Sequence, residues 1–341
     1  MTETDVVIVG AGPIGLELAV CLKHQGVDYV QLEAGALAHT VTWYPKQTRY
    51  FSSPQRIAIA GVPLVTPNNE KATREEYLAY LRAVVQQFGL KVNCYEKVKQ
   101  ATQTDAGFTL TTNRETYRTK NVVLAIGDMH RPRRLGVPGE DLPHVSHYFD
   151  EPHHYFRQRV VVVGGKNSAV EAALRCHHAG ADVTISYRGE RFSPDSIKYW
   201  LLPEIEALIK HGQIRFIPNS QVTAITDEQV CLSVGDKTID HPADFVLLLT
   251  GYEQDPTLFD QLGVGRHGEN MAPAFEAETM MTNVPGVYVV GTAAAGTQQH
   301  FKLFIENCHP HVTRIVRHLT GTAPPPGLVN AAAETFGLEE S

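Results

Sequence analysis

Three glycines in the run Gly10-Ala11-Gly12-Pro13-Ile14-Gly15 stand directly after the apolar segment Val6-Val7-Ile8-Val9. Glycine at the first place permits a tight turn, and at the second it lets backbone approach a pyrophosphate. At the third it lets the following helix lie close on the strand. The helix start, with Pro13 in its first turn, offers unpaired amides and the positive end of its dipole to phosphate. Glu33, followed by Ala34, closes the next apolar run, where a carboxylate can accept from both hydroxyls of a ribose.

A second run, Gly164-Gly165-Lys166-Asn167-Ser168-Ala169, follows Val160-Val161-Val162-Val163. Lys166 replaces the second glycine, which holds the backbone farther from a phosphate but adds an ammonium beside it. Ala169 is small enough for close helix–strand packing. Tyr187 and Arg188 fall in the place that Glu33 occupies in the first unit, Arg191 follows one turn later, and Lys198 is within reach of the same pocket. Guanidinium groups grip phosphate bidentately, so this turn calls for a 2′-phosphate. An acid at one turn and arginines at the other imply FAD at the first and NADPH at the second. That pairing implies a reductase in which hydride passes from NADPH to FAD and electrons then leave to an acceptor. Hydride transfer needs geometry and cofactor electronics more than a protein acid or base, so no catalytic residue is named.

The elements that must position these residues read clearly. Residues 5–10, 13–25 and 27–33 form one strand–helix–strand unit. A helix from Thr73, capped in a box with Glu76, runs to about Phe88. A small antiparallel meander and the buried strand ending at Gly127 follow. A second strand–helix–strand unit begins at 159, with a helix near 197–211, another meander and a strand ending at Gly251. The strand 286–291 and a helix from about 300 to 319 have no counterpart before the connector. The fold class is therefore α/β, with two Rossmann-like dinucleotide-binding domains and the NADPH domain inserted into the FAD domain. The expected boundaries are 1–127 with 256–320 for FAD, 128–158 as connector, 159–255 for NADPH and 321–341 as a mobile tail.

At 341 residues the chain suits two domains, and its 43% hydrophobic and 20% charged content is that of a globular protein. A net charge of −7 argues against nucleic acid as partner. No run of eighteen apolar residues suggests a membrane span, and the N-terminal apolar run, with Glu3 and Asp5, reads as a core strand rather than a signal peptide. The five cysteines, Cys21, Cys94, Cys176, Cys231 and Cys308, are scattered with no Cys-x-x-Cys, which fits reduced thiols in the cytoplasm. The sixteen histidines form no three- or four-ligand zinc spacing, so no metal is expected. The expected partner is a small-molecule or small redox-protein electron acceptor. A homo-oligomer is left open.

These features together resemble the two-domain flavoprotein reductases of low-molecular-weight thioredoxin reductase architecture, and within them the YpdA family of bacillithiol disulfide reductases. The resemblance runs to about residue 320. It is carried by His147-Tyr148-Phe149, Tyr155-Phe156, the Gly164–Ala169 run with its lysine, Tyr187-Arg188-Gly189, Phe51-Ser52-Ser53, Gly251-Tyr252 and Phe304-Ile305-Glu306-Asn307. It implies bound FAD, reduction by NADPH and transfer to a low-molecular-weight disulfide. It also implies that Trp43 and Tyr44 lie beside the flavin ring, that Gly291 and Thr292 meet its ribityl chain, and that Lys302 assists at its pyrimidine edge. Val98, Ala125 and Gly127 complete the expected FAD set, and Gly251 the NADPH set.

The chain departs from the family in three places. Ile14 stands where the family carries a substrate-facing cysteine, Cys308 stands where it has glycine, and Thr292 replaces the superfamily's aspartate. A cysteine at a helix start beside His309 and His311 can have a lowered pKa, although a packed small residue is the commoner state. Three rival outputs follow: a ferredoxin or flavodoxin–NADP reductase with Arg131, Arg133 and Arg134 as docking surface, a flavin monooxygenase-like enzyme, and a non-catalytic NADPH-sensing flavoprotein. A thioredoxin reductase is excluded by the missing cysteine pair.

Overall fold

The computed structural model describes residues 1–299 and 302–331. The chain falls into two compact units. One comprises Met1–Thr42, Gln47–Arg131 and the described residues from Tyr252 onward; the other comprises Trp43–Lys46 and Pro132–Gly251. The second is thus inserted, in sequence, into the first.

The first unit is built on a mixed sheet. Its parallel part runs in the order Val92–Asn93, Tyr29–Leu32, Thr2–Val9 and Thr116–Leu124, with Val287–Val289 pairing beside Leu124. Val6 to Val9 are buried without alternation, as a strand covered on both faces requires. Thr116–Leu124 has three partners, with Thr2–Val9 along its length and two others sharing its other side. Its first half pairs antiparallel with Gly107–Thr112, which pairs in turn with Val98–Thr104. In Gly107–Thr112 alternate residues are buried, the mark of a strand with one face on the core.

The helix Pro13–His24 buries most of its length. The helix Arg74–Phe88 carries the expected capping box, with Thr73 Oγ1 accepting from Glu76 N at 3.2 Å and Thr73 N donating to Glu76 Oε2 at 2.7 Å. The last helix begins later than the sequence suggests. It spans His309–Thr320, with Pro310 in its first turn, and the expected start at 300 and 301 lies outside the described residues. The segment before it is a separate 3-10 turn, Ile305–Asn307, tied at its start by Asn307, whose Oδ1 accepts from Phe304 N at 2.8 Å and whose Nδ2 donates to Lys302 O at 2.7 Å.

The stretch after Gly321, expected as a mobile tail, is docked as far as Asn330. Asn330 N donates to Glu17 Oε1 at 3.0 Å, and its Nδ2 donates to Ala58 O at 2.6 Å and Gln55 O at 2.8 Å. Residues 332–341 lie outside the described residues.

The second unit has a parallel sheet in the order Arg215–Ile217, Asp182–Ser186, Arg159–Val163, Phe245–Leu248 and Val145–Ser146. The helix Asn167–His178 follows the central strand. An antiparallel meander, Ser220–Ile225, Gln229–Val234 and Lys237–Pro242, is built beside it. The helix expected near 197–211 is shorter, Leu202–Lys210, because Pro203 has no N–H and is tolerated only in a first turn. The stretch read as a connector does more than connect. Val145–Ser146 is the edge strand of this sheet, and Phe149 and Tyr155 are buried in its core.

Candidate functional site

In the first unit the glycine turn is shaped by its neighbours. Gly10 has φ +111°, and a side chain there would collide with Ala125 O at the end of the adjacent strand. A Cβ on Gly15 would lie 2.7 Å from Gly10 O and 3.1 Å from Ala125 Cβ, so this glycine sets the helix onto the strand. Gly12 is different. Its φ is −75°, and a Cβ there meets nothing within 4 Å. Neither strain nor internal packing demands glycine at that position, and the space beside it is open to a group outside the protein. No side chain caps the helix start, which leaves its first amides for such a group.

Glu33 is buried next to this turn. Its Oε2 accepts from Ala11 N at 2.9 Å and its Oε1 from Gly35 N at 3.0 Å. Each oxygen keeps a further lone pair for a hydroxyl donor. Open space at Gly12, uncapped amides and an oriented carboxylate fit the phosphate and ribose of FAD.

The carboxyl ends of Thr116–Leu124 and Val287–Val289 are tied together beside the turn. Gln254 Nε2 donates to Gly127 O at 2.8 Å and to Ala293 O at 3.1 Å. Asp128, which the sequence reading passed over, is buried there and accepts from Gln298 Nε2 at 2.9 Å and from the Thr292 hydroxyl. Burial pushes its carboxyl above the usual range despite those hydrogen bonds. A strand ending in Ala125-Ile126-Gly127-Asp128 was the available signal. Gln298 also accepts from Lys302 N at 2.9 Å, which fixes the Lys302 backbone while its side chain is exposed.

Val98 is buried in the meander opposite Thr112, and Ala34 is exposed next to Glu33. Trp43 and Tyr44 group with the second unit, where the Trp43 ring meets Tyr148 edge-on at 5.9 Å.

None of the five thiols is activated. Burial pushes Cys21, Cys94, Cys176 and Cys308 up, and Cys231 is raised by its hydrogen bond to Asp240 and by burial. Cys308 is fully buried, with Asp128 and Glu17 adding to the rise, so it is the packed small residue that such a cysteine most often is. The neighbouring His309 is engaged in a buried ion pair, Nδ1 to Glu17 Oε2 at 2.7 Å.

In the second unit Gly164 has φ +147°, and a Cβ there would lie 2.6 Å from Leu249 O. Gly165 lies under the Tyr187 ring, which leaves no room for a side chain. Lys166 is the N-cap of Asn167–His178 and supplies no capping side-chain bond. Partial burial lowers its ammonium pKa, and the charges of Arg188 and then Arg133 lower it further. Cations gathered at an uncapped helix start fit a polyanion such as the phosphates of NADPH.

Asn167 Oδ1 accepts from Lys198 N at 2.6 Å, but Lys198 Nζ is paired with Glu171 Oε2 at 2.9 Å, so Lys198 is committed away from a phosphate. Ser168, Arg188 and Arg191 are exposed, and Gly251, φ +98°, ends the neighbouring strand segment. A cleft lined by Arg159, Asp182 and His241 lies at the opposite, amino-terminal edge of this sheet and shares none of these residues.

Two such units, one presenting an acid and one a cluster of cations to its turn, define a dinucleotide-dependent oxidoreductase. Residues 7–291 match the family described as pyridine nucleotide-disulphide oxidoreductase, and the chain belongs to that family and, within it, to the Bdr (YpdA) group. Members of the family are FAD- and NADPH-dependent reductases. The chain is similar to bacilliredoxin reductase Bdr of Bacillus subtilis (strain 168), 42% identical over 313 residues that cover 91% of this chain and 96% of the relative. It is also similar to the ferredoxin–NADP reductase of Ignicoccus hospitalis, 30% identical over 300 residues that cover 84% and 89%. The solved bacillithiol disulfide reductase Bdr (YpdA) from Staphylococcus aureus superposes with a TM-score of 0.90 at 36% identity, over 94% of this chain and 99% of that one. Among the described residues no helix is long and apolar enough to cross a membrane.

Proposed function

We propose that this chain reduces low-molecular-weight disulfides of the bacillithiol class with NADPH, holding FAD on the Gly10–Gly15 turn and NADPH on the Gly164–Ala169 turn. One observation carries the reading: equivalent places in the two units bear opposite charge. Glu33 is buried beside the first turn, and Lys166, Arg188 and Arg133 gather at the second. A carboxylate suits a ribose with free hydroxyls, and cations suit one bearing a phosphate.

In this reading Gly12 and the amides of Pro13–His24 receive the FAD pyrophosphate and Glu33 its ribose. FAD, when bound, supplies a two-electron relay. The overall step balances as NADPH, one proton and a disulfide giving NADP⁺ and two thiols: the hydride's electron pair breaks the S–S bond, and its proton equivalent with one from solvent completes the thiols. The names of the Bacillus and Staphylococcus relatives support the disulfide as acceptor. Ile14 and five raised thiols support a reduction that uses no cysteine at position 14. A basic docking surface for ferredoxin is weakened by its own pairing, since Arg131 meets Glu253 at 3.3 Å and Arg134 meets Asp141 at 2.7 Å.

The test is an anaerobic titration of the purified yellow protein with NADPH, followed by bacillithiol disulfide or reducible ferredoxin. The reading expects NADPH to bleach the flavin and the disulfide to restore its colour. A protein that takes up no FAD overturns it, and recovery with ferredoxin alone transfers the chain to the ferredoxin reductases.

A further inference from the structure

We infer that Arg133 binds the pyrophosphate of the nicotinamide dinucleotide from its nicotinamide side, opposite Arg188. The inference rests on the assignment of NADPH to the second turn and adds a residue that lies outside the strand–turn–helix–strand unit.

The backbone of Arg133 is fixed at the carboxyl edge of the sheet. Its N–H donates to Gly251 O at 2.9 Å, and its carbonyl accepts from Thr250 Oγ1 at 2.8 Å. Thr250 and Gly251 continue from the strand Phe245–Leu248, which pairs with Arg159–Val163 in the register Leu248 to Val163. Val163 runs straight into Gly164, which abuts Leu249 O. Arg133 and the glycine turn therefore share one edge of the sheet.

Strand order then gives the direction. Asp182–Ser186, which leads to Arg188, lies on one side of Arg159–Val163, and Phe245–Leu248, which leads to Arg133, lies on the other. In such a sheet the adenosine ribose lies over the end of the second strand and the pyrophosphate over the first turn. The nicotinamide half extends past the strand on the far side. Arg188 is thus placed for the ribose phosphate and Arg133 for the phosphate on the nicotinamide side.

The side chains agree with this placement. Arg133 and Arg188 come close enough to lower the pKa of Lys166. Both flanking arginines, Arg131 and Arg134, have carboxylate partners. Arg133 is half-buried, and its guanidinium has no hydrogen bond or ion pair among the described residues. Lys166 with two arginines near it is a cluster of like charge that an anion joining them would relieve.

The test measures affinities of the FAD-loaded full-length protein and its Arg133→Gln variant for NADPH, NADH and 2′,5′-ADP, which lacks the nicotinamide-side phosphate. NADPH and NADH are expected to weaken by the same factor, about tenfold. Binding of 2′,5′-ADP should change by less than about twofold, and Arg133→Lys should recover part of the loss. A loss confined to NADPH, or equal affinities for variant and wild type, overturns the inference. Failure of the wild type to bind either nucleotide overturns the underlying assignment and this inference with it.

Discussion

Ile14 lies against Gly291: a Cβ built on Gly291 would stand 3.4 Å from the Ile14 Cβ. The residue before the last glycine of the first turn therefore faces the end of the Val287–Val289 strand and is buried there. An unreactive hydrocarbon stands at this position, and burial or a hydrogen bond raises all five thiols of the chain.

Turnover of a disulfide should for this reason be independent of Cys308. The Cys308→Ala variant is expected to oxidise NADPH with bacillithiol disulfide at the wild-type rate. A fall of more than about tenfold, equivalent to about 1.4 kcal/mol in the barrier, would mean that the thiol takes part.

The two glycines of the first turn should separate folding from flavin binding. Gly10→Ala forces a side chain into φ +111° and against Ala125 O, and strain of this kind costs about 1–3 kcal/mol or more. Gly12→Ala has ordinary backbone geometry and open space, so apoprotein stability should stay within about 0.5 kcal/mol. Its flavin content should nevertheless fall steeply. Thermal denaturation of the apoprotein and the flavin-to-protein ratio read the two effects apart, and a Gly12→Ala protein with full flavin content would contradict the role given to Gly12.

The buried histidines make the first unit's stability depend on pH from both sides. Burial opposes the charge on His309, but the charge and hydrogen bond of Glu17, the Arg56 carbonyl and Glu306 together outweigh it and raise its pKa above 6.5. The stability it contributes is fully present below the unfolded value, about 6.5, and is lost as pH rises through the folded one. His311 behaves oppositely. Burial, Arg314 and His309 lower its pKa to about 4, so stability falls as pH drops from about 6.5 toward that value. Denaturant midpoints should therefore peak near pH 6.5, with His309→Gln flattening the alkaline limb. Glu17→Ala, which strands the imidazolium and the amides of Ala60 and Asn330, should cost about 3–5 kcal/mol. An unchanged alkaline limb in His309→Gln would refute the assignment.

Both turns were legible in the sequence because a strand, a glycine spacing, a helix and a second strand constrain one another over about thirty residues. The same arithmetic puts Glu33 and Arg188 at equivalent places after the two turns. Asp128, Arg133 and the Glu17–His309 pair were not, because their partners are remote in sequence: Gln298 for Asp128, Gly251 for Arg133, and 292 residues between Glu17 and His309. Charge alone puts Lys198 within reach of the phosphate pocket, and only the fold shows its ion pair with Glu171. The last helix starts late because a separate 3-10 turn, Ile305–Asn307, precedes it, tied by the Asn307 side chain, which periodicity does not register.

Arg188→Ala in rapid-mixing reduction of the bound flavin tests the opposite charge of the two turns most directly. The wild type should be reduced by NADPH at lower concentrations than by NADH. The variant should lose about 10–100-fold in affinity for NADPH and little for NADH, as expected for a charge-assisted phosphate contact of about 1.5–3 kcal/mol. Equal losses for both nucleotides, or a wild type that does not distinguish them, would contradict the account.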